Sequence, residues 1–236
     1  MKLVTMLITT HFPYVLAAIA AYFCGCFNGA LFTSRLFFHD DVRAHGSGNA
    51  GLTNFYRTYG AKYAAIVIVS DMLKAVAAVS VAVWLGARFD PRVMPDLPLT
   101  AAQRAEYILH FKYWAGLFCV LGHIFPCTAR FHGGKGVLCS ATLMLLLDWR
   151  VALCGWGLFF VLWLTTRYVS LGSVSVAVIF PVVTHLVFRD GFATSIAVVM
   201  AAIVIWAHRE NVKRLCSGTE NKFRFHKNAP GTEEKP

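Results

Sequence analysis

The residues with the clearest capacity for chemistry lie in a glycine- and hydroxyl-rich stretch, residues 45–60, which reads HGSGNAGLTNFYRTYG. Glycines leave backbone N–H groups open to a ligand, and Ser47 adds a hydroxyl. Arg57 adds a guanidinium group, whose N–H groups match the oxygens of a phosphate. The stretch therefore predicts a binding site for a phosphate or a similar anion.

Three further polar clusters interrupt an otherwise apolar chain: residues 122–136 (GHIFPCTARFHGGKG), 165–173 (TTRYVSLGS) and 208–211 (HREN). A lysine can simply anchor a loop to anionic headgroups, and arginines often extend from the ends of membrane spans. Such anchoring needs cations, but it needs no hydroxyls, amides or glycines. We therefore expect the four clusters to bind one anionic ligand through Ser47, Arg57, Lys135, Ser173, His208 and Asn211.

Two short patterns suggest a nucleotide, but their context excludes it. Residues 46–51, GSGNAG, match GxGxxG, yet no buried strand precedes them and no βαβ unit surrounds them. The GGKG of residues 133–136 lacks the remaining positions of a phosphate-binding P-loop. Neither pattern predicts a nucleotide cofactor.

The composition is that of a membrane protein. Of 236 residues, 57% are apolar and only 14% are charged, far from the balance of a soluble domain. The net charge of +10 comes from basic residues in short loops between apolar segments. Nucleic-acid binders instead gather such residues on one basic face, so we expect no nucleic-acid partner.

Hydropathy predicts an all-α membrane protein with seven transmembrane helices, against the ~20 residues that one crossing requires. We expect a single catalytic domain over residues 1–212 and a polar, basic cytoplasmic tail over residues 213–236. The first apolar stretch lacks a good cleavage context and is expected to be a span, not a removed signal. The predicted spans are residues 13–33, 63–85, 107–124, 137–149, 151–166, 170–188 and 192–207.

The basic residues also predict the orientation, because short cytoplasmic loops are enriched in Lys and Arg. One membrane side receives Arg35, Arg43, Arg57, Lys62, Arg130, Lys135, Arg167, Lys213, Arg214, Lys222, Arg224 and Lys227. The other side receives Arg88, Arg92, Arg104, Arg150 and Arg189. This difference places the N-terminus outside and the C-terminus in the cytoplasm, which requires an odd number of spans. All four polar clusters then face the cytoplasm.

Two charged pairs lie outside these clusters. Asp71 and Lys74, three residues apart on the second span, share a helix face and are expected to pair in a structural or supporting role. His185 and Asp190 match the HxxxxD pattern of another acyltransferase class, but the predicted topology puts them on the outer side. We interpret that match as chance. The seven cysteines show no metal-binding spacing, and we expect them to be small buried residues.

The four clusters, in this order, resemble the motifs of the acyl-phosphate:glycerol-3-phosphate acyltransferase family, bacterial membrane enzymes of phospholipid synthesis. The matching segments are GSGNAGLTNFYR, GHIFPCTARFHGGKGV, RYVSLGS and HRENVKRLCSGTENK, so the resemblance covers nearly the whole chain. Two departures are Leu52 and Gly172, where the family usually has alanine. Neither position is expected to bind substrate.

The resemblance implies seven spans in the bacterial cytoplasmic (inner) membrane and an active site that faces the cytoplasm. It implies acyl transfer from acyl phosphate to the 1-hydroxyl of glycerol 3-phosphate, which gives lysophosphatidate and phosphate, the first step of phospholipid synthesis. The family requires no metal, coenzyme A or carrier protein, so the expected partners are these two substrates and membrane lipid, with no cofactor.

Carried over by position, the resemblance implies catalytic roles for His208, Lys135, Arg57 and Ser47. Arg57 and Lys135 would hold phosphate charge, and His208 and Asn211 would orient the glycerol hydroxyls. Either His208 or a substrate phosphate would accept the proton. The full set of expected substrate contacts is Ser47, Asn49, Thr53, Asn54, Arg57, Gly133, Gly134, Lys135, Ser173, His208 and Asn211.

A transporter of a small phosphorylated or anionic metabolite is the alternative, because it would also use cations and glycine-rich loops. Transporters place such groups near the bilayer midplane on broken helices. Here they fall at span ends on one side, which favours the enzyme.

Overall fold

The computed structural model describes residues 2–88 and 100–223, and the side chains from residue 11 onward within these ranges. In these ranges the chain forms α-helices joined by short turns and contains no β-strand, which confirms the all-α class there. The helices are α1 (Lys2–Cys26), α2 (Gly29–Phe38), α3 (Leu52–Tyr59), α4 (Ala64–Arg88), α5 (Ala101–Ile124), α6 (Val137–Leu147), α7 (Trp149–Thr166), α8 (Val169–Phe188), α9 (Gly191–Ala207) and α10 (Arg209–Cys216).

The described helices confirm a membrane protein. Five stretches are long and apolar enough to cross a bilayer: His11–Phe38, Ala64–Arg88, Ala101–Ala129, Trp149–Thr166 and Val169–Phe188. Helices α9 and α10, bent by 62°, make a sixth if they form one span, and α6 has only 11 residues. Seven crossings therefore require that α6 and α9 both cross, so the number stays a prediction.

The predicted first span, residues 13–33, is interrupted in the structure between α1 and α2. Asn28 begins α2: its side-chain oxygen accepts from the Leu31 amide at 2.9 Å, and its Nδ2 donates to the Ala50 carbonyl at 2.9 Å. Lys74 Nζ of α4 donates to the Phe27 carbonyl at 2.9 Å. Hydropathy does not reveal this break because apolar residues flank it on both sides.

Helices α1 and α5 pack closely through glycine. A Cβ atom on Gly25 would lie 2.2 Å from the Cys119 carbonyl oxygen, and one on Gly122 would lie 2.1 Å from the Tyr22 carbonyl oxygen. Small residues permit this approach of two backbones, which is the usual route to tight helix pairs in a membrane. The contact fixes the end of α5, from which the second polar cluster continues.

Contacts between the turns define two ends of the bundle. The first is here called the site end. There Arg43 Nη1, in the loop between α2 and α3 (residues 39–51, the first polar loop), donates to the carbonyls of Ala129 and His132. At the same end the Phe223 amide donates to the Arg167 carbonyl at 2.8 Å. At the far end, His110 Nε2 lies 2.9 Å from a carboxylate oxygen of Asp190. Helices α4 to α9 alternate in direction between these two ends.

The tail predicted over residues 213–236 stays a prediction, but its first residues pack against the bundle. Helix α10 continues to Cys216, and Glu220 of the following segment packs into the bundle with a side-chain exposure of only 7%. Residues 224–236 lie outside the described part of the chain, as do residues 89–99 of the predicted outer loop 87–106. The flanks of that loop are helical, because α4 ends at Arg88 and α5 begins at Ala101.

The seven cysteines are free, and all belong to the described residues. Three are buried (Cys26, Cys119 and Cys139) and Cys24 is half-buried. The expectation of burial is wrong for Cys127, Cys154 and Cys216, which are exposed. Cys127 lies in a loop and Cys216 ends a short polar helix, so neither has a packed neighbour on every side.

Candidate active site

A cavity of about 940 Å³ opens at the site end and extends between α4, α6, α7, α8 and α9. It brings together residues from all four polar clusters, although these are far apart in the chain. The predicted residues that line it are Ser47, Asn49, Thr53, Asn54, Arg57, Lys135, Ser173, His208 and Asn211.

The first polar loop is held in shape by Asn54 of α3. Its side-chain oxygen accepts from the Ser47 amide at 2.9 Å, and its Nδ2 donates to the carbonyls of Val42 and His45, each at 3.0 Å. Both N–H groups of this buried amide are therefore already used. These bonds make Asn54 a support for the loop that carries Ser47, and its contact with substrate stays a prediction.

Gly133 and Gly134, in the loop between α5 and α6 (residues 125–136), do not line the cavity. The Gly133 amide donates to the Ile124 carbonyl and the Gly134 amide to the His123 carbonyl, both at 3.1 Å. A Cβ atom on Gly134 would lie 2.2 Å from His123 Nε2 and 2.7 Å from the Ala50 carbonyl oxygen. The predicted substrate contacts through these two amides are thus replaced by packing: the glycines let the loop lie against α5.

This packing positions Lys135 in the cavity wall. Its Nζ donates to Asn211 Oδ1 of α10. The pKa of Lys135 is lowered to about 8, chiefly by burial and also by Arg214, while Glu220 opposes the shift. An amine that is partly desolvated and surrounded by other cations gains most from an incoming anion.

Arg57 is the second cation of the cavity lining and lies on α3. Its Nη2 donates to the Asn221 carbonyl at 3.3 Å, and burial lowers the pKa of its guanidinium group. The group remains charged at any physiological pH. Arg57 and Lys135 are therefore two cations that line the same cavity.

Glu220 accepts hydrogen bonds from three residues on two helices, α8 and α10. Its oxygens lie 2.8 Å from Ser170 Oγ, 2.7 Å from Asn211 Nδ2 and 2.7 Å from Arg214 Nε. Burial raises the pKa of Glu220, but these hydrogen bonds together hold it below the ordinary value. The carboxylate orients the Asn211 amide, so that its oxygen faces Lys135, and it neutralises Arg214.

His208 and Ser173 lie deeper. His208 is 2% exposed, and its Nδ1 lies 2.8 Å from the Val204 carbonyl oxygen. Because a carbonyl only accepts, Nδ1 carries the ring proton and Nε2 is left as the basic nitrogen. Ser173 Oγ donates to the Val169 carbonyl at 2.9 Å, which leaves its lone pairs available to the cavity.

Below these groups the cavity wall becomes apolar, with Met144, Phe159, Phe180 and Met200 among its residues. Sequence reasoning described the polar part only. It also missed Arg214, Glu220, Asn221 and Phe223, which line the opening, and Asp71 and His123, which line its side. The position of Glu220 in the last motif was the available signal, since it follows Asn211 by nine residues in a polar segment.

Asp71 and Lys74 pair as predicted, at 2.8 Å, with both side chains 3% exposed. Lys74 also contacts His123 Nδ1. The cavity extends to Asp71. Its carboxylate is already occupied by Lys74, which agrees with a supporting role.

The HxxxxD pair lies at the far end, away from the cavity. Asp190 Oδ1 accepts from the Ala193 amide at 2.6 Å and so begins α9, while its other oxygen contacts His110. His185 Nδ1 lies 3.4 Å from the Thr194 hydroxyl. The two residues of the pattern thus serve different helix ends and do not form a catalytic couple.

Comparison with known proteins agrees with this geometry. The crystal structure of PlsY (YgiH), an integral membrane glycerol 3-phosphate acyltransferase, in its glycerol 3-phosphate form superposes with a TM-score of 0.74 at 28% identity, covering 89% of this chain and 96% of that one. Its lysophosphatidic acid form gives a TM-score of 0.71 at 27% identity, covering 89% and 95%.

Curated relatives are similar over almost their whole length. A glycerol-3-phosphate acyltransferase of Fusobacterium nucleatum is 33% identical over 207 residues, covering 88% of this chain and 96% of the relative. Glycerol-3-phosphate acyltransferase 2 of Bacillus cereus is 35% identical over 221 residues, covering 94% and 98%. The family model described as glycerol-3-phosphate acyltransferase matches residues 15–218. With four motifs lining one cavity and these similarities, the chain belongs to the glycerol-3-phosphate acyltransferase family.

Proposed function

We propose that this protein transfers an acyl group from acyl phosphate to the 1-hydroxyl of glycerol 3-phosphate and releases lysophosphatidate and inorganic phosphate. The observation that carries the proposal is the two-part cavity, with Arg57 and Lys135 at its opening and an apolar wall below. Two phosphate groups suit the cationic part, and an acyl chain suits the apolar part. A solved relative is named for its complex with glycerol 3-phosphate.

The charge at the opening matches the substrate. Arg214 is neutralised by Glu220 at 2.7 Å, so Arg57 and Lys135 remain as two uncompensated cations among these four groups. A phosphate monoester carries a charge between about −1.5 and −2 at neutral pH. Ser47, Asn49 and Thr53 line the same region and supply hydrogen-bonding groups to the phosphate and glycerol oxygens.

The reaction needs little covalent help, because acyl phosphate is already activated. The oxygen of the 1-hydroxyl forms a bond to the acyl carbonyl carbon, and the bond from that carbon to the phosphate oxygen breaks, its electron pair leaving with phosphate. The hydroxyl proton passes to His208 Nε2 or to a phosphate oxygen. Arg57 and Lys135 stabilise the charge on the departing phosphate, and Asn211 and Ser173 position the glycerol, so that orientation and electrostatics supply most of the rate.

Purified protein mixed with acyl phosphate and labelled glycerol 3-phosphate, without acyl-coenzyme A, tests the reaction. We expect lysophosphatidate and inorganic phosphate in equal amounts. Lys135→Ala and Arg57→Ala are each expected to lose nearly all activity, and His185→Ala at the far end is the matched control. Wild-type rates in either cation variant would contradict the assignment.

The role of His208 as general base has its own test. His208→Gln keeps a hydrogen-bonding side chain of similar size but cannot take up a proton at neutral pH. If His208 is the base, turnover falls by about two to four orders of magnitude, in the range typical of general-base catalysis. Near-normal turnover with an unchanged pH profile would assign the proton to a substrate phosphate instead.

We further propose seven spans in the bacterial cytoplasmic membrane, with the N-terminus outside and the site end in the cytoplasm. Support comes from the alternating helix directions and from the excess of Lys and Arg at the site end. In chains with a single cysteine, Cys216 should react with an impermeant maleimide only in inside-out vesicles. A cysteine at the far end, from Arg189→Cys, should react only in intact spheroplasts, and the reverse pattern would reject the orientation.

A transporter would need the same cations but a path through the bilayer. The cationic groups line one end of the cavity, and its walls below them are apolar, which disfavours passage of an anion. Vesicles that convert labelled glycerol 3-phosphate into lipid support the enzyme. Accumulation of unchanged glycerol 3-phosphate inside them would support the transporter.

A further inference from the structure

The apolar part of the cavity has a definite depth. On α7 its deepest lining residue is Gly155, and on α8 it is Phe180. Each lies 11 residues from the end of its helix at the site end, Thr166 and Val169. At 1.5 Å per residue, both positions are about 16 Å along the helix axis from the opening.

The other walls end at a comparable level. Met200 of α9 and Met144 of α6 each lie seven residues from the site end of their helix, which corresponds to about 10 Å. Together these four residues form what we call the floor of the cavity: Met144, Gly155, Phe180 and Met200. A floor at this depth lies near the middle of a hydrocarbon core about 30 Å thick.

Gly155 is the position at which the Met144 side chain packs against α7 at this floor. A Cβ atom there would lie 2.6 Å from Met144 Sδ and 3.4 Å from Val176 Cγ1. Any side chain at this position therefore displaces the end of Met144 and takes up space between α6, α7 and α8. Two residues further along the same helix, Gly157 is exposed, and a Cβ atom there would have no neighbour within 4 Å. Gly157 therefore offers a matched control.

We propose that Gly155, together with Met144, sets the longest acyl chain that this protein accepts. This inference rests on the proposed acyl transfer and names a determinant of its specificity. An extended chain advances roughly 1.2 Å per bond, as an extended backbone does over its three bonds per residue, so the 16 Å from the opening to the floor correspond to about 13 bonds of bound substrate, its polar head included. Chains that reach the floor gain from burial of every methylene, and longer chains must bend or leave the cavity.

The experiment is a competition in one reaction. Purified full-length protein receives a mixture of straight-chain acyl phosphates whose lengths bracket the depth of the cavity, together with glycerol 3-phosphate. Mass spectrometry gives the ratio of the lysophosphatidates formed. That ratio equals the ratio of the kcat/KM values and does not depend on how much of each variant is folded.

Gly155→Leu should move the preferred length down by about three carbons, since a leucine side chain extends about three bonds from the backbone. Each methylene that can no longer be buried should reduce kcat/KM for long donors by about fourfold. Met144→Ala should move the preference in the opposite direction, toward longer chains. Gly157→Leu should leave the ratio unchanged.

Identical ratios in wild type, Gly155→Leu and Met144→Ala would overturn the inference. A wild-type product ratio that does not depend on chain length would also overturn it. The chain would then leave sideways into the bilayer past Leu145 and Phe160, which line the cavity and are exposed. If wild type uses acyl thioesters but no acyl phosphate, the proposed donor is wrong, and the same ratios measured with thioesters decide the role of Gly155. If neither donor is used, both proposals fail.

Discussion

Raising the pH above about 8 is expected to weaken the capture of glycerol 3-phosphate, because it removes the proton from Lys135. Burial, together with the neighbouring guanidinium groups, lowers the pKa of this lysine to about 8. The protonated Lys135 amine binds the anion, and this charged form is lost as the pH rises through its pKa. A lysine in water would keep its proton through this range.

The size of the effect follows from the titration. Half of the enzyme carries the charge at a pH equal to the pKa, and the charged fraction then falls by about tenfold for each further pH unit. Because kcat/KM reports the free enzyme, it should fall with the same slope above about pH 8. A bound phosphate raises the pKa of the lysine, so kcat at saturating substrate should change much less and KM should rise.

Initial rates across the pH range, at low and at saturating glycerol 3-phosphate, measure both quantities. Lys135→Arg keeps a charge that does not titrate, so its alkaline decline should disappear even if its maximal rate is lower. Lys112→Arg at the far end, where Nζ donates to the Leu146 carbonyl at 2.9 Å, is the control and should keep the wild-type profile. A flat wild-type kcat/KM between about pH 8 and pH 10, or an unchanged decline in Lys135→Arg, would refute the reasoning.

Three further substitutions test the supports of the site. Gly134→Ala should reduce both activity and melting temperature, because its Cβ would lie 2.2 Å from a ring nitrogen of His123. Gly191→Ala, whose Cβ would have nothing within 4 Å, should reduce neither. Equal behaviour of the two variants would reject the packing role of Gly134. Lys74→Met leaves a buried carboxylate unpaired and should cost about 3–5 kcal/mol of stability, measured by unfolding in detergent; an unchanged midpoint would contradict this. Phe223→Ala removes a stacked contact with Tyr56 and an edge-to-face contact with Trp163, each worth about 0.5–1.5 kcal/mol. It should raise both KM for glycerol 3-phosphate and the rate of limited proteolysis at residues 217–223; unchanged values of both would show that these rings do not hold the segment at the opening.

The convergence of the polar clusters could be predicted from the sequence because each cluster follows or precedes an apolar segment. A chain that crosses and returns brings alternate loops to the same side, whatever the exact helix bounds. That parity argument placed Arg57, Lys135, Ser173 and His208 together, and the structure brings all four to one cavity. Types of residue and their order were sufficient for this level of description.

The roles of individual polar groups could not be predicted in the same way. Asn54 and the amides of Gly133 and Gly134 have the chemistry of phosphate ligands, but the fold already uses their hydrogen bonds. Residue type shows what a group can bind, and only the neighbours in space show whether it is available. The same limit applies to Asn211, whose orientation depends on a carboxylate from another segment.

Glu220 and Phe223 are the opposite case: residues without a predicted role contact the site. Their segment is polar and close to the chain end, so composition predicted a tail. Glu220 accepts a hydrogen bond from Ser170 at 2.8 Å, a residue 50 positions earlier, and Phe223 stacks on Tyr56 with ring centroids 5.5 Å apart. Contacts at such separations depend on the assembled bundle, which local composition does not encode.

The buried pair of α4 shows how the apolar bundle supports a polar site. The break between α1 and α2 leaves the Phe27 carbonyl and the Gly29 amide without partners in their helices, and inside a bilayer no water can replace them. Lys74 donates to the first at 2.9 Å, and Asp71 lies 3.5 Å from the second. The break is what directs the chain toward the first polar loop. Two buried charges are thus retained because they satisfy backbone groups that an apolar pair of similar volume would leave unsatisfied.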